Sequence, residues 1–140
     1  MKTRTKVLII TLLFGIPAFF LGKILWSPAP DLHPTSAQLP FFILLSLIEA
    51  LLFGLGIAFM IFAWPAVQKV GKQYRKRAIM SYLAVAWFLL SWWPHDNLHA
   101  HNGMDTGGLL LIEYAFHVTL IIAAVMLSYS FYTMPAEKIK

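Results

Sequence analysis

Four apolar runs dominate this chain: Val7 to Trp26, Pro40 to Trp64, Ala78 to Trp93 and Leu109 to Tyr132. A helix rising about 1.5 Å per residue needs about 20 apolar residues to cross bilayer hydrocarbon. The first, second and fourth runs reach that length. The third is shorter and meets Pro94, which has no N–H with which to continue a helix. It spans if Arg75 and Arg77 reach back to the headgroups while Trp92 and Trp93 lie in the interface. No soluble fold suits such a chain. Hydrophobic residues make up 59% of the 140 and charged residues 12%, against about 45–50% and about 25% in soluble domains. Backbone groups in lipid must satisfy one another, and runs of this length do so as helices. The expectation is an all-α integral membrane protein, a single membrane domain over residues 1–140, built as an up-down bundle of four transmembrane helices.

Lysine and arginine orient the bundle. Lys2, Arg4 and Lys6 precede the first run; Lys69, Lys72, Arg75, Lys76 and Arg77 lie between the second and third; Lys138 and Lys140 follow the fourth. All ten fall on one side of a four-span topology, and Lys23 alone falls near the other. The positive-inside rule then puts both termini in the cytoplasm of a bacterial-type plasma membrane and the segment Pro94 to Gly108 outside it. The same asymmetry accounts for the net charge of +5, so no nucleic-acid partner is needed and the bilayer is the expected one. The basic stretch Val67 to Arg77 reads as an amphipathic connector held by anionic headgroups. Residues 1–29 also have a leader's basic start and small residues, although Lys23, Trp26 and Pro30 fit a cleavage region poorly.

The second run carries Ser46, Ala50, Gly54 and Ala58 at four-residue spacing, a stripe that lets two helix backbones approach in lipid. Trp26, Trp92 and Trp93 mark the outer interface, with Trp64, Tyr74 and Tyr132 at the inner one. Tyr82 and Trp87 fall inside the spans and read as packing residues.

Ionisable groups inside a bilayer cost roughly 2.5–3.5 kcal/mol each on insertion scales, so each requires a reason. Glu49, Glu113 and His117 fall within the expected spans. Glu113 and His117, four apart, share a helix face. Counting helical rise from the outer ends puts Glu49 about 13 Å deep, His117 about 12 Å and Glu113 about 6 Å, so the second and fourth helices could bring acid and imidazole together. Just outside lie His95, Asp96, His99, His101 and Met104, with no basic side chain among them. His95 and His99 share a face if this loop starts helically; His99 and His101 share a side if it is extended. Asp96 is placed to ligate or to orient a histidine. Asp105 or Thr106 reads as the N-cap of the last helix. His33, between polar residues and proline, reads as incidental.

The candidate ligands for a metal are therefore His95, His99, His101, Glu113, His117 and Glu49, with Glu49 and Glu113 also suited to carrying protons. Cysteine is absent, which excludes thiolate sites and disulfides. Imidazole with carboxylate suits zinc, iron or manganese, and imidazole with Met104 suits copper. Haem fits less well, because only His117 is deep enough to be an axial ligand. No hydrolase, phosphate-loop or dinucleotide motif is present. The leading expectation is a membrane protein with a metal site at its outer mouth, open at lipid level to redox or hydrolytic chemistry on a lipid-soluble substrate. The alternatives are an accessory subunit of a larger membrane complex, in which Glu49 and His117 hold helices together, or a proton-coupled transporter formed by a homo-oligomer. In a purely structural reading the outer histidines are simply solvated.

Overall fold

The computed structural model describes residues 2–32 and 34–133. His33, Lys138 and Lys140 lie outside the described residues, so their expected roles are not addressed by the structure. The regular elements are α1 (Thr3–Leu25), α2 (Leu39–Lys69), α3 (Lys72–Leu90), α4 (Trp92–Asn102), α5 (Thr106–Glu113), a π-helical turn (Tyr114–Val118) and α6 (Thr119–Tyr132). The last three form one continuous rod. That rod, α1 and α2 are each long and apolar enough to cross a membrane. Helix α3 falls short of that measure, because its first turns hold Lys72, Arg75, Lys76 and Arg77. Large apolar side chains such as Leu13, Phe20, Phe41, Ile121 and Val125 point outward and exposed. Such surfaces suit a lipid solvent and would be a liability in water.

The amphipathic connector expected over Val67 to Arg77 reduces to Val70 and Gly71, with α2 and α3 extending into it from either side. The larger departure is at the other end of the third run. Residues 94–102, expected as loop, are helical: α3 stops at Leu90 and α4 starts at Trp92. Pro94 explains both facts. Its ring cannot sit against the carbonyl four residues back, at Leu90, so the helix breaks there. Within α4 the proline occupies the first turn, where backbone N–H groups have no helical partner to lose. Helix α4 ends at Gly103, whose φ of 59° is open to glycine and strained for other residues. The rod then begins as the sequence predicts, with the Asp105 carboxylate accepting from the N–H groups of Gly107 and Gly108, each at 3.2 Å.

Helix α1 packs on α2, α2 on α3, and α3 on α6, while α4 folds back against α1, α2, α3 and α5. The small-residue stripe is the α1–α2 seam: Ala50, Gly54 and Ala58 are buried and Ser46 half-buried. A Cβ added to Gly54 would run into the Thr11 carbonyl and lie 2.7 Å from the Gly15 nitrogen, so the two backbones touch. Trp93, expected in the interface, is drawn into this seam. Its ring lies 5.2 Å from Trp26 and 4.6 Å from Phe53, and its indole N–H donates to the Ala18 carbonyl at 3.1 Å. Tyr82 is a packing residue, donating to the Met60 carbonyl at 2.9 Å. Between α3 and α6, Ser81 donates to Ser130 at 2.9 Å, and Arg77 donates to the Thr133 carbonyl at 2.6 Å, just past the last turn of α6.

Candidate metal centre

Helix α4 turns the expected loop histidines into a patterned face. His95 and His99, one turn apart, point the same way, and their Nε2 atoms are 3.1 Å apart. His101 is two residues further on, rotated about 200° around the helix from His99. It faces away, and its Nδ1 lies 2.8 Å from the Ser27 carbonyl. With the Ala29 N–H donating to the Ala100 carbonyl at 2.8 Å, this contact ties the α1–α2 connector to the end of α4. His101 therefore belongs to the scaffold here, and the extended-loop pairing of His99 with His101 does not form. Met104 is also separate: its side chain is exposed and its N–H donates to Asp31 at 3.0 Å.

The other half of the cluster comes from the rod. Glu113 ends α5, His117 lies in the π turn, and the two side chains pair. A π turn inserts an extra residue and leaves helix carbonyls poorly served. Thr119 meets that need, its hydroxyl lying 2.7 Å from the Ala115 carbonyl and 3.0 Å from that of Phe116. Trp87 of α3 donates its indole N–H to the same hydroxyl at 3.0 Å. The wide turn that carries His117 is thus fixed by a threonine in an apolar run and a tryptophan on the neighbouring helix.

These two elements bring four side chains together. His99 Nε2 is 3.3 Å from Glu113 Oε1. His95, Glu113 and His117 each offer a ligand atom within 4.8 Å of the others. A tetrahedral ion with bonds of about 2.0–2.1 Å to nitrogen holds its ligand atoms about 3.3 Å apart. The His95–His99 and His99–Glu113 separations match that spacing. Burial is graded: His95 is buried, whereas the Glu113 and His117 side chains are each 45% exposed. An ion would therefore have a fixed inner wall and an accessible outer side.

Outer partners complete the arrangement. His95 Nδ1 lies 3.1 Å from Asp96 Oδ1. A proton on Nδ1 shared with that carboxylate leaves the Nε2 lone pair aimed into the cluster, the usual preparation of a ligating histidine. His99 Nε2, facing both His95 Nε2 and Glu113, then holds the proton that an ion would displace. Phe116 and Trp92 lie at the His95 ring, with centroids at 5.2 and 6.2 Å. Burial pushes the His95 imidazole below its ordinary value, against the pull of Asp96, so the neutral, ligating form is favoured.

Glu49 does not join the cluster as a direct member. It is buried on α2 and contacts Asp96. The expected meeting of Glu49 with His117 is replaced by a chain, because α4 stands between α2 and the rod: Glu49 to Asp96, Asp96 to His95, and His95 to the ligand group. No family model, curated protein or solved structure gives a significant match to the chain.

Proposed function

We propose that this protein is a multi-pass membrane protein that binds a divalent transition-metal ion through His95, His99, Glu113 and His117. The observation that carries this reading is the convergence of His95, Glu113 and His117, whose ligand atoms lie within 4.8 Å of one another, with His99 Nε2 beside His95 at 3.1 Å and Glu113 at 3.3 Å. Asp96 orients His95, and Glu49 stands behind Asp96 as a buried carboxyl suited to exchanging a proton with the site. The donor set suits zinc or iron, and copper(II) to a lesser degree. Copper(I) would be better served by sulfur, and Met104 stands apart from the ligand group. A bound ion supplies Lewis acidity or redox capacity to a molecule reaching it from the lipid.

Metal analysis of protein purified in mild detergent, with an optical spectrum, tests this reading. One zinc or iron ion per chain is expected. A Soret band would replace it with haem. Protein that is folded, colourless and metal-free even after zinc or iron is supplied would favour an accessory subunit, in which these side chains serve only the hydrogen bonds they make to one another across α4 and the rod.

The proposed membrane orientation follows from the basic residues. Reporter fusions at Lys72 should be cytoplasmic and fusions at Asn102 extracytoplasmic. A cytoplasmic signal at Asn102 would invert the site's placement.

A further inference from the structure

The seam between α3 and α6 opens into two cavities of about 310 Å³ each. Both fall at the lower end of the range of about 300–1,000 Å³ typical of small-molecule sites. One lies near the start of α3 and is lined by Gln73, Lys76, Arg77, Met80, Tyr129 and Ser130. The other lies further along, between Leu83 and Trp87 of α3 and Ile122 and Met126 of α6. Its lining is apolar apart from the Thr119 hydroxyl and the Trp87 indole N–H, which bond to each other. Helical spacing puts both cavities on one side of the seam. Lys76, Met80, Leu83 and Trp87 follow one another three or four residues apart along α3, and Tyr129, Met126 and Ile122 do so along α6. The two are therefore ends of one groove, basic at its mouth and apolar beyond. Leu83 and Ile122 are exposed, so its open side faces lipid.

We infer that this groove binds one anionic phospholipid, its phosphate at Lys76 and Arg77 and an acyl chain lying over Leu83 toward Trp87. Charge complementarity selects the head. Among the described residues the mouth carries two cations and no carboxylate. The described carboxyl groups, Asp31, Glu49, Asp96, Asp105 and Glu113, all belong to the opposite end of the bundle. Lys76 makes no ion pair among the described residues, and Arg77 gives one amino group to the Thr133 carbonyl and keeps its other N–H donors. Gln73, Tyr129 and Ser130 add neutral donors. A zwitterionic head would bring the same phosphate together with a cation that Lys76 and Arg77 oppose. Length selects the tail. Helical rise from Lys76 to Trp87 is about 16 Å, close to the half of a hydrocarbon core about 30 Å thick that one leaflet fills. A free phosphate would use the mouth and leave the apolar end empty. The inference rests on the chain lying in a bilayer and is independent of the metal site.

Native mass spectrometry of the full chain in detergent tests it, with dioleoylphosphatidylglycerol and dioleoylphosphatidylcholine as probes that share their tails. A single phosphatidylglycerol adduct is expected, favoured over phosphatidylcholine by about tenfold or more. Lys76→Gln should lower that preference about fivefold, the usual worth of one basic side chain at a membrane surface. Leu83→Trp, which fills the apolar end, should weaken the phosphatidylglycerol adduct by a similar factor. Lys72→Gln removes the same charge one turn earlier, outside the cavity lining, and should leave the preference unchanged. Size-exclusion profile and helical circular dichroism confirm folded protein in each case. Equal retention of the two lipids, equal losses for Lys76→Gln and Lys72→Gln, or full retention by folded Leu83→Trp would overturn the inference. Displacement of the lipid by excess inorganic phosphate would overturn it in favour of a free-phosphate site. An alkaline carbonate wash of cell membranes reads the embedding separately. Release of the chain would remove the membrane reading and the lipid site with it, whereas a retained chain without a selective adduct would remove the lipid site alone.

Discussion

Replacing His95 with alanine should lower metal affinity by more than about 100-fold. A change in an outer partner of a metal site typically costs about 10–100-fold, and His95 is proposed as a direct ligand. Three features make it the most sensitive member. It is buried, its Nε2 lies 3.1 Å from that of His99, and its Nδ1 is held by Asp96. His117→Ala should follow closely, whereas Asp96→Asn should fall within the outer-partner range. His101→Ala should leave affinity unchanged, because that side chain faces the Ser27 carbonyl on the other side of α4. Chelator competition reads all four variants. Equal losses for His95→Ala and His101→Ala would mean that the α4 face does not define the site.

Metal binding should also weaken on acidification, since imidazole must be neutral to ligate. Burial holds His95 below the ordinary histidine range, so it should remain a ligand to lower pH than an exposed histidine would. The same shift acts on folding. The unfolded chain takes up the His95 proton first as pH falls through about 6.5, so the stability His95 contributes is present above that value and is lost progressively below it. Thermal unfolding of metal-free protein across this range checks the sign.

The second large effect belongs to the α1–α2 seam. Gly54→Leu should destabilise the protein by about 3 kcal/mol, the upper part of the usual overpacking range. Overpacked cores commonly relax by shifting side chains, but here the obstruction is the Thr11 carbonyl and the Gly15 nitrogen, both backbone. Even Gly54→Ala should be felt, because the first added carbon already meets that carbonyl. Ala66→Leu, on an exposed position of the same helix, should stay within about 0.5 kcal/mol of the parent. Thermal unfolding in one detergent compares the three, and equal losses for Gly54→Leu and Ala66→Leu would show that the seam is not a tight contact.

The helices were legible in the sequence because their signals are local. Apolar run length marks three helices long enough to cross a membrane, the four-residue stripe marks the α1–α2 seam, and Asp105 marks the start of the rod. Pro94 was legible only as a stop. The same proline also permits a start, since helix breaks and first turns tolerate a missing N–H equally well, and the pattern alone does not choose between them. That ambiguity concealed α4, and with it the division of the histidines into His95 and His99 on one face and His101 on another. The pairing of Glu113 with His117 followed from their spacing, but the π turn between them did not. The Thr119 hydroxyl that serves that turn's carbonyls is also held by a tertiary contact, a hydrogen bond from Trp87 across two helices. Glu49 is legible as a costly group in an apolar run, yet its neighbour is Asp96, because equal expected depth on two helices does not reveal a third between them.

The most direct measurement of the central claim is the X-ray absorption spectrum of zinc bound to the full chain in detergent. Three imidazole nitrogens and one carboxylate oxygen at about 2.0–2.1 Å are expected, with the imidazole outer-shell scattering reduced by one ring in His95→Ala. A shell of oxygen alone, or a spectrum identical between the parent and His95→Ala, would contradict the assignment of His95, His99, Glu113 and His117 as one metal site.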